Sequence, residues 1–535
     1  MTTLQPRAPY SKDELEKLYP RGLQLQLVQV LLRHGERSPV SARFQNAGVP
    51  PYWPYCSAAK RMASMVMTGK DASHWDEMDW RHRLETFGDD DGPVVAAGPN
   101  GTVDAICQLG ELTDTGRETT LALGQRLRHL YVDQLGFMPK VIADADMFYL
   151  RATPMPRALE SLQQVFWGFY PHSTRTASFP RPTILTRTPA DETLFPNDGN
   201  CRRFSQLSRA FAQRAADRWN DTNEMEYLNK LISKWMPASS PQVAVDSHPR
   251  LSGIMDTINS TLAHGPETRL PAEFYDTKSR EIIDRIGVEE WFDGYKESVE
   301  YRSLGMGALV GDIVTRMVGS VERKRNDGIT EVGGEDGTLG SGRGGEKGIR
   351  FALSGCHDTT LAGVLASLGA FEGEKWPPYT SHLALELFRQ AERKPDSELV
   401  PGRTPTLGEV GHGSQLEEQK PQGLWARLFG ATKETADGGS APQARGIARK
   451  PMEQLSTNEK EKLQGYYVRV RYNDRAMTIP ACRKPGNHLE GDETFCTLEA
   501  FKSVTDKFTP KNWKRACASN LKEPAFPAKI EPAGY

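Results

Sequence analysis

The run from Leu23 to Leu32 alternates, then turns mostly apolar, and stops at Arg33-His34-Gly35-Glu36-Arg37-Ser38-Pro39. Such a run reads as a strand entering a core that covers both its faces. Its end in Arg-His-Gly-x-Arg reads as the carboxyl edge of a sheet, where open α/β folds keep their ligands. A chain built on such an edge needs further strands beside it.

Two more runs end in the same way. Met147 to Leu150 ends at Arg151, and Pro156 then opens a helix through Leu159, Leu162, Val165 and Phe166. Ile349 to Ser354 stops at Gly355-Cys356-His357-Asp358-Thr359-Thr360 and passes into a helical pattern at Leu361, Val364, Leu365 and Leu368. Before them, an apolar stripe through Leu121, Leu123, Leu127, Leu130 and Tyr131 predicts a long helix capped by Thr113 and closed near Gly136. The fold class expected is α/β: a mixed, mainly parallel sheet flanked by helices.

From 201 to 304 the pattern is amphipathic helix, as in Met225 to Trp235 and Lys278 to Ile286. A mostly helical cap subdomain, 201–304, is therefore expected between two parts of one α/β domain, 20–200 and 305–520. Stretches rich in Gly, Pro and charge at 323–348 and 391–462 bury too little apolar surface to order themselves and read as insertions. Leu383 to Phe388 and Tyr466 to Tyr472 flank the second as hairpin strands, and Leu424 to Phe429 within it suits only a transient helix. Glu499 to Asn520 reads as a last helix before a loose polar tail.

A formal net charge of -2 and a pI near 6.6 give no global basic field for nucleic acid or an anionic membrane. No uninterrupted apolar stretch is long enough to span a bilayer, so no transmembrane segment is expected. Met1 to Leu18 lacks the pattern of a secretory leader, which makes the cytoplasm the expected location, a mitochondrion or other organelle remaining open. Seven cysteines lie far apart without C-x-x-C spacing and read as reduced thiols. Sequons at Asn100, Asn220 and Asn259 bear on this only in a secreted chain.

Phosphate monoesters are slow to hydrolyse, and an enzyme must supply a nucleophile, charge cover for the equatorial oxygens and a proton for the departing alkoxide. Arginine suits the cover, because its planar fork pairs with phosphate and keeps its proton. Arg33, Arg37 and Arg151 stand at or beside strand ends. A neutral imidazole is a competent nucleophile, and His34 lies where two arginines discourage its protonation. Asp358, after His357 at a helix start, is the expected acid, and that helix start also favours an anion.

Each fragment alone has a plainer reading. Arg33 to Arg37 fits a solvated loop, His357-Asp358 an N-cap beside a surface histidine, and Arg151 an ordinary surface arginine. His74 and His82, near Trp75 and Trp80, suit a surface or domain contact better than a metal site. Cys356 lacks a Cys-x5-Arg loop after it and reads as a packing residue. Tyr52, Trp53 and Tyr55 could wall a lipid-tail pocket, although such stretches more often pack on a neighbouring helix.

Arg33-His34-Gly35-x-Arg37-x-Pro39, the later Arg151 and His357-Asp358, in that order, resemble the histidine acid phosphatases of the phosphoglycerate-mutase-like superfamily. Asp191-Glu192 through Asn197, Cys201 and Trp376-Pro377-Pro378 are similar to the lysophosphatidic-acid-phosphatase type. The resemblance implies His34 as the phosphorylated nucleophile, with Arg33, Arg37, Arg151 and His357 binding phosphate and Asp358 as leaving-group acid. It implies no metal and no cofactor, and a small phosphomonoester as substrate. Rival expectations are a non-catalytic phospholigand-binding scaffold, and a sugar-phosphate mutase or bisphosphatase of the same superfamily.

Overall fold

The computed structural model describes residues 2–70, 72–322, 349–391 and 447–535. The expected insertion at 323–348 and the helix at Leu424 to Phe429 lie outside the described residues. The end of the second expected insertion does not: Ile447, Ala448, Leu455 and Leu463 are buried in the main core, so residues 447–463 are packed chain.

One nine-stranded sheet organises the fold. Its strands are β1 Leu23–Arg33, β2 Phe148–Ala152, β3 Ile184–Leu185, β4 Phe351–Cys356, β5 His382–Gln390, β6 Tyr466–Tyr472, β7 Arg475–Met477, β8 His488–Leu489 and β9 Asp492–Thr497. They lie in the order β8-β9-β6-β5-β1-β4-β2-β3, with β7 on β6. The sheet is mixed. β1, β4, β2 and β3 run parallel, and β5 and the strands beyond it are antiparallel. β5 and β6 pair in register from Arg389 with Tyr466 to Leu383 with Tyr472, the hairpin expected from their alternation.

The period of two decides which way β1 points each residue. Val28, Val30 and Leu32 pack under helices Asp114–Arg128 and Pro156–Phe169, while Leu27 and Leu31 face Ala308–Glu322 and Asp358–Ser367. Thr113 caps the first of these helices, its hydroxyl accepting from the Gly116 amide, and Gly136 follows with a φ of 58°. Among the described residues one helical stretch, Val299–Glu322, is long and apolar enough to cross a membrane, yet 72% of its most apolar window is buried within the protein.

Helices Arg202–Trp219, Asn223–Ile232, Leu251–Leu262 and Thr277–Glu297 make up the predicted helical region. They share a second core with Phe44, Val49 and Trp53. Trp53 is buried there and Tyr55 stacks on His264, so this aromatic stretch packs. Residues 57–106 carry two hairpins, Met62–Met67 with Trp75–Trp80 and Glu85–Phe87 with Pro93–Val95.

Three expectations change. Six cysteines pair, as Cys56–Cys107, Cys201–Cys517 and Cys482–Cys496, because separation along the chain hides neighbours whose Cα atoms come within 5.0, 4.7 and 5.1 Å. The last helix is two, Leu498–Asp506 and Trp513–Cys517, with Pro510 between them. The tail is tied down, since Glu531 and Ala533 amides donate to Glu297 and Lys296, and Arg302 donates to the Glu531 carbonyl.

Candidate active site

The parallel register of β1 and β4 brings the two motifs together. Arg33 pairs with Cys356, so the next residues, His34 and His357, leave the sheet side by side with ring centroids 5.5 Å apart. The motif loop is held in place by hydrogen bonds from the His34 amide to the Cys356 carbonyl and from the Gly35 amide to Ser161 Oγ. Gly35 must be glycine because the backbone of Gly116, at the start of helix Asp114–Arg128, leaves no room for a Cβ.

His34 Nδ1 lies 2.9 Å from the Gly35 carbonyl oxygen. A carbonyl can only accept, so the proton is on Nδ1 and the lone pair is on Nε2. Burial lowers the His34 pKa well below the ordinary histidine value, and Arg157, Arg33, Arg37 and His357 push it the same way. The imidazole is thus held neutral in acid, with one nitrogen ready to attack.

Arg33 and Arg37 reach the site from either side of His34. Arg33 NH2 pairs with Asp358 Oδ2 at 2.7 Å, and its NH1 donates to the Pro377 carbonyl. Arg37 NH2 pairs with Asp256 Oδ1 at 2.6 Å, and Asp256 Oδ2 accepts from the Val40 amide. Asp256 lies on helix Leu251–Leu262, so the helical region itself sets the position of Arg37.

Asp358 opens helix Asp358–Ser367, with His357 as its N-cap. The plainer reading of Asp358 as the cap is therefore displaced by one residue. Burial pushes its carboxyl up, but Arg33, the Trp376 indole and Arg37 outweigh burial and hold it below the usual carboxylate range. His357 is lowered, chiefly by burial and then by Arg157, and its Nε2 lies 3.1 Å from Thr153 Oγ1. Cys356 is buried, its thiol pushed up to about 12 by burial, which suits a packing residue.

Arg151 does not join the site. β2 runs on to Ala152, and Arg151 pairs with Ser354, two residues short of Cys356. Within the strand it points into the opposite layer, where NH2 lies 2.5 Å from Glu192 Oε1 and 3.1 Å from Thr193 Oγ1. The third arginine is Arg157, in the first turn of helix Pro156–Phe169, and it heads the charges acting on both His34 and His357. Burial and Arg37 pull its pKa down to about 10 against the opposing pull of Asp358 and Asp256, and it donates hydrogen bonds to the Gly110 carbonyl and the Met155 sulfur. Its place, just after a proline at a helix start on the carboxyl edge, was the signal that reading strand ends alone passed over. Asp256, which orients Arg37, comes from a distant segment without local signal, and Trp376, which orients Asp358, stood in the Trp376-Pro377-Pro378 motif with no site role attached to it.

His34 Nε2, three guanidinium groups and a carboxyl at a helix start lie together, a concentration of positive charge around a neutral nitrogen that suits a tetrahedral anion. A family model described as "Histidine phosphatase superfamily (branch 2)" matches residues 24–400. A Schizosaccharomyces pombe protein named as a probable acid phosphatase is 35% identical over 499 residues, covering 93% of this chain and 95% of its own. Lysophosphatidic acid phosphatase type 6 of Homo sapiens is 25% identical over 385 residues, 70% of this chain and 76% of that one. Among solved structures, Hafnia alvei phytase in complex with myo-inositol hexakis sulphate has a TM-score of 0.49 at 13% identity, covering 93% of this chain and 99% of that one.

Proposed function

The chain belongs to branch 2 of the histidine phosphatase superfamily, and from that premise we propose that His34 is the nucleophile and Asp358 the acid and base of its phosphomonoester hydrolysis. His34 Nε2 attacks phosphorus, the P–O bond to the alcohol breaks as the P–N bond forms, and Asp358 protonates the departing oxygen. Water then attacks the phosphohistidine, giving its proton to Asp358 as the P–N bond breaks. Arg33, Arg37, Arg157 and His357 hold the phosphoryl oxygens throughout, and Arg151 has no part in the step. The chemistry needs no metal, since the guanidinium groups supply the charge, and activity is expected to survive chelation.

The observation that carries this reading is the Nδ1 bond of His34 to the Gly35 carbonyl, which aims a neutral Nε2 among the arginines. Brief incubation with radiolabelled aryl phosphate, alkaline quench and peptide mapping should find label on His34. Label on another residue, or release of phosphate by His34→Ala at the parent rate, would overturn it.

A lysophospholipid headgroup is the substrate we favour within this class. Two features support it: the likeness to lysophosphatidic acid phosphatase type 6, and a cavity of about 200 Å³ beside Arg33 whose wall sets Met255, Ile258, Ile283 and Trp376 among the polar Asn259, Arg280, Glu281, Asp284 and Lys375. Comparing kcat/KM for lysophosphatidic acid, a sugar phosphate and inositol hexakisphosphate tests it. The cytoplasm was expected, whereas three cystines support an oxidising compartment. Fractionation of the host cell with thiol labelling separates the two.

A further inference from the structure

Ten of the exposed large apolar residues lie between Met62 and Leu109. Six of these belong to one hairpin: Met62, Met65, Met67, Trp75, Met78 and Trp80. Scattered surface apolar residues need no explanation, but a concentration of this kind marks a contact surface. The hairpin is also a two-stranded sheet on its own, joined to no other strand among the described residues. Such ribbons are marginal in water unless a further strand or a packed face supports them.

The two strands differ as edges. Trp75–Trp80 carries Asp76, Glu77 and Asp79, whereas Met62–Met67 reads Met-Ala-Ser-Met-Val-Met, with no charge, proline or glycine. Natural edge strands are normally blunted by just such residues. The register places Asp76 opposite Val66 on one face, and Glu77 and Asp79 opposite Met65 and Ala63 on the other. Acidic groups thus stand on both faces among the apolar ones, and a bilayer would have to accept them together with unpaired backbone groups.

We propose that the Met62–Met67 edge pairs antiparallel with the same edge of a second copy, closing a four-stranded sheet across a two-fold axis. An uncharged strand suits itself as a partner, because every cross-strand pair it makes is apolar or neutral. The acidic strands then lie outermost, where like charges placed opposite one another oppose the addition of a third copy. The two-fold stands normal to the sheet, so one residue near the strand centre, Ser64 or Met65, faces its own copy.

Sedimentation of the full chain at micromolar concentration tests this. The parent should run as a dimer, and Met65→Lys as a monomer with unchanged turnover of an aryl phosphate, since Met65 is outside the site. Because a lysine could also loosen the hairpin, Ser64→Cys and Met65→Cys are made separately and oxidised. One of them should give a covalent dimer, while Val141→Cys, an exposed control on another surface, should not. A parent that stays monomeric, whether bare or covered from within its own chain, overturns the proposal. So does a dimer that Met65→Lys leaves intact, or equal cross-linking by the control.

Discussion

The indole Nε1 of Trp376 lies 3.0 Å from Oδ2 of Asp358, the same oxygen that Arg33 NH2 meets at 2.7 Å. Oδ1 accepts from the Thr359 amide at 2.8 Å, so both oxygens are fixed and the carboxyl has one orientation. Pro377, the residue after Trp376, accepts from Arg33, which ties Asp358 and Arg33 to a single loop.

Trp376→Phe should therefore slow alkyl phosphates, which need a proton on the leaving oxygen, by roughly tenfold or more, the worth of one hydrogen bond to a charged group. Aryl phosphates with good leaving groups should barely change. Steady-state kinetics on a series of leaving groups checks this through a steeper dependence on leaving-group pKa in the variant.

Arg157 and Arg151 should part company under mutation. Arg157→Ala removes a guanidinium from the phosphate pocket and should weaken inhibition by inorganic phosphate by about tenfold or more while the melting temperature stays close to the parent's. Arg151→Ala leaves Glu192 buried without its partner, a loss of about 3–5 kcal/mol for a broken buried pair, so the main effect should be on melting temperature. Thermal unfolding together with a phosphate inhibition constant for each variant separates the two roles.

The contrast between these arginines shows where sequence was a good guide and where it was not. β1, β4 and their loops were legible because apolar runs of that composition make buried strands, and parallel pairing in register forces His34 beside His357. Arg151 was misplaced because one residue of strand length decides whether a side chain tops the edge or turns into a layer. Cys56–Cys107, Cys201–Cys517 and the Arg37–Asp256 pair are contacts across 51 to 316 residues, for which local pattern carries no signal.

Acid should favour the chemistry and disfavour the fold. Asp358 is held ionised, so its proton must arrive with the substrate, and a phosphate monoester keeps one only below its second pKa of about 6. His34 stays neutral in the same range. A plot of log kcat/KM should then fall with unit slope above about pH 6, and a profile flat to pH 8 would exclude a proton carried in by substrate.

For stability the sign runs the other way. His34 and His357 have pKa values lowered in the folded state, so below about 6.5 the unfolded chain binds protons that the native one refuses. The contribution is complete above the unfolded value and is lost as pH falls towards the folded ones. Unfolding free energy should decline below about pH 6.5, and His357→Asn should flatten part of that slope in denaturant titrations.

Reduction should be felt most through Cys201–Cys517. Cys201 is the N-cap of helix Arg202–Trp219 and Cys517 ends helix Trp513–Cys517, so the bond joins the helical region to the C-terminal segment across 316 residues. Arg203 adds to the same junction by donating to the Glu523 and Pro524 carbonyls. Closing a loop of this size restricts the unfolded chain by an amount worth about 6 kcal/mol on the chain-entropy model, against about 3 for a loop near 15 residues such as that of Cys482–Cys496. Cys201→Ala with Cys517→Ala should thus lower the unfolding midpoint in denaturant by more than Cys482→Ala with Cys496→Ala. Both pairs lie outside the motif loop, so turnover at temperatures where each variant stays folded should match the parent, and a loss of kcat there would mean that the Arg202–Trp219 junction also positions the site.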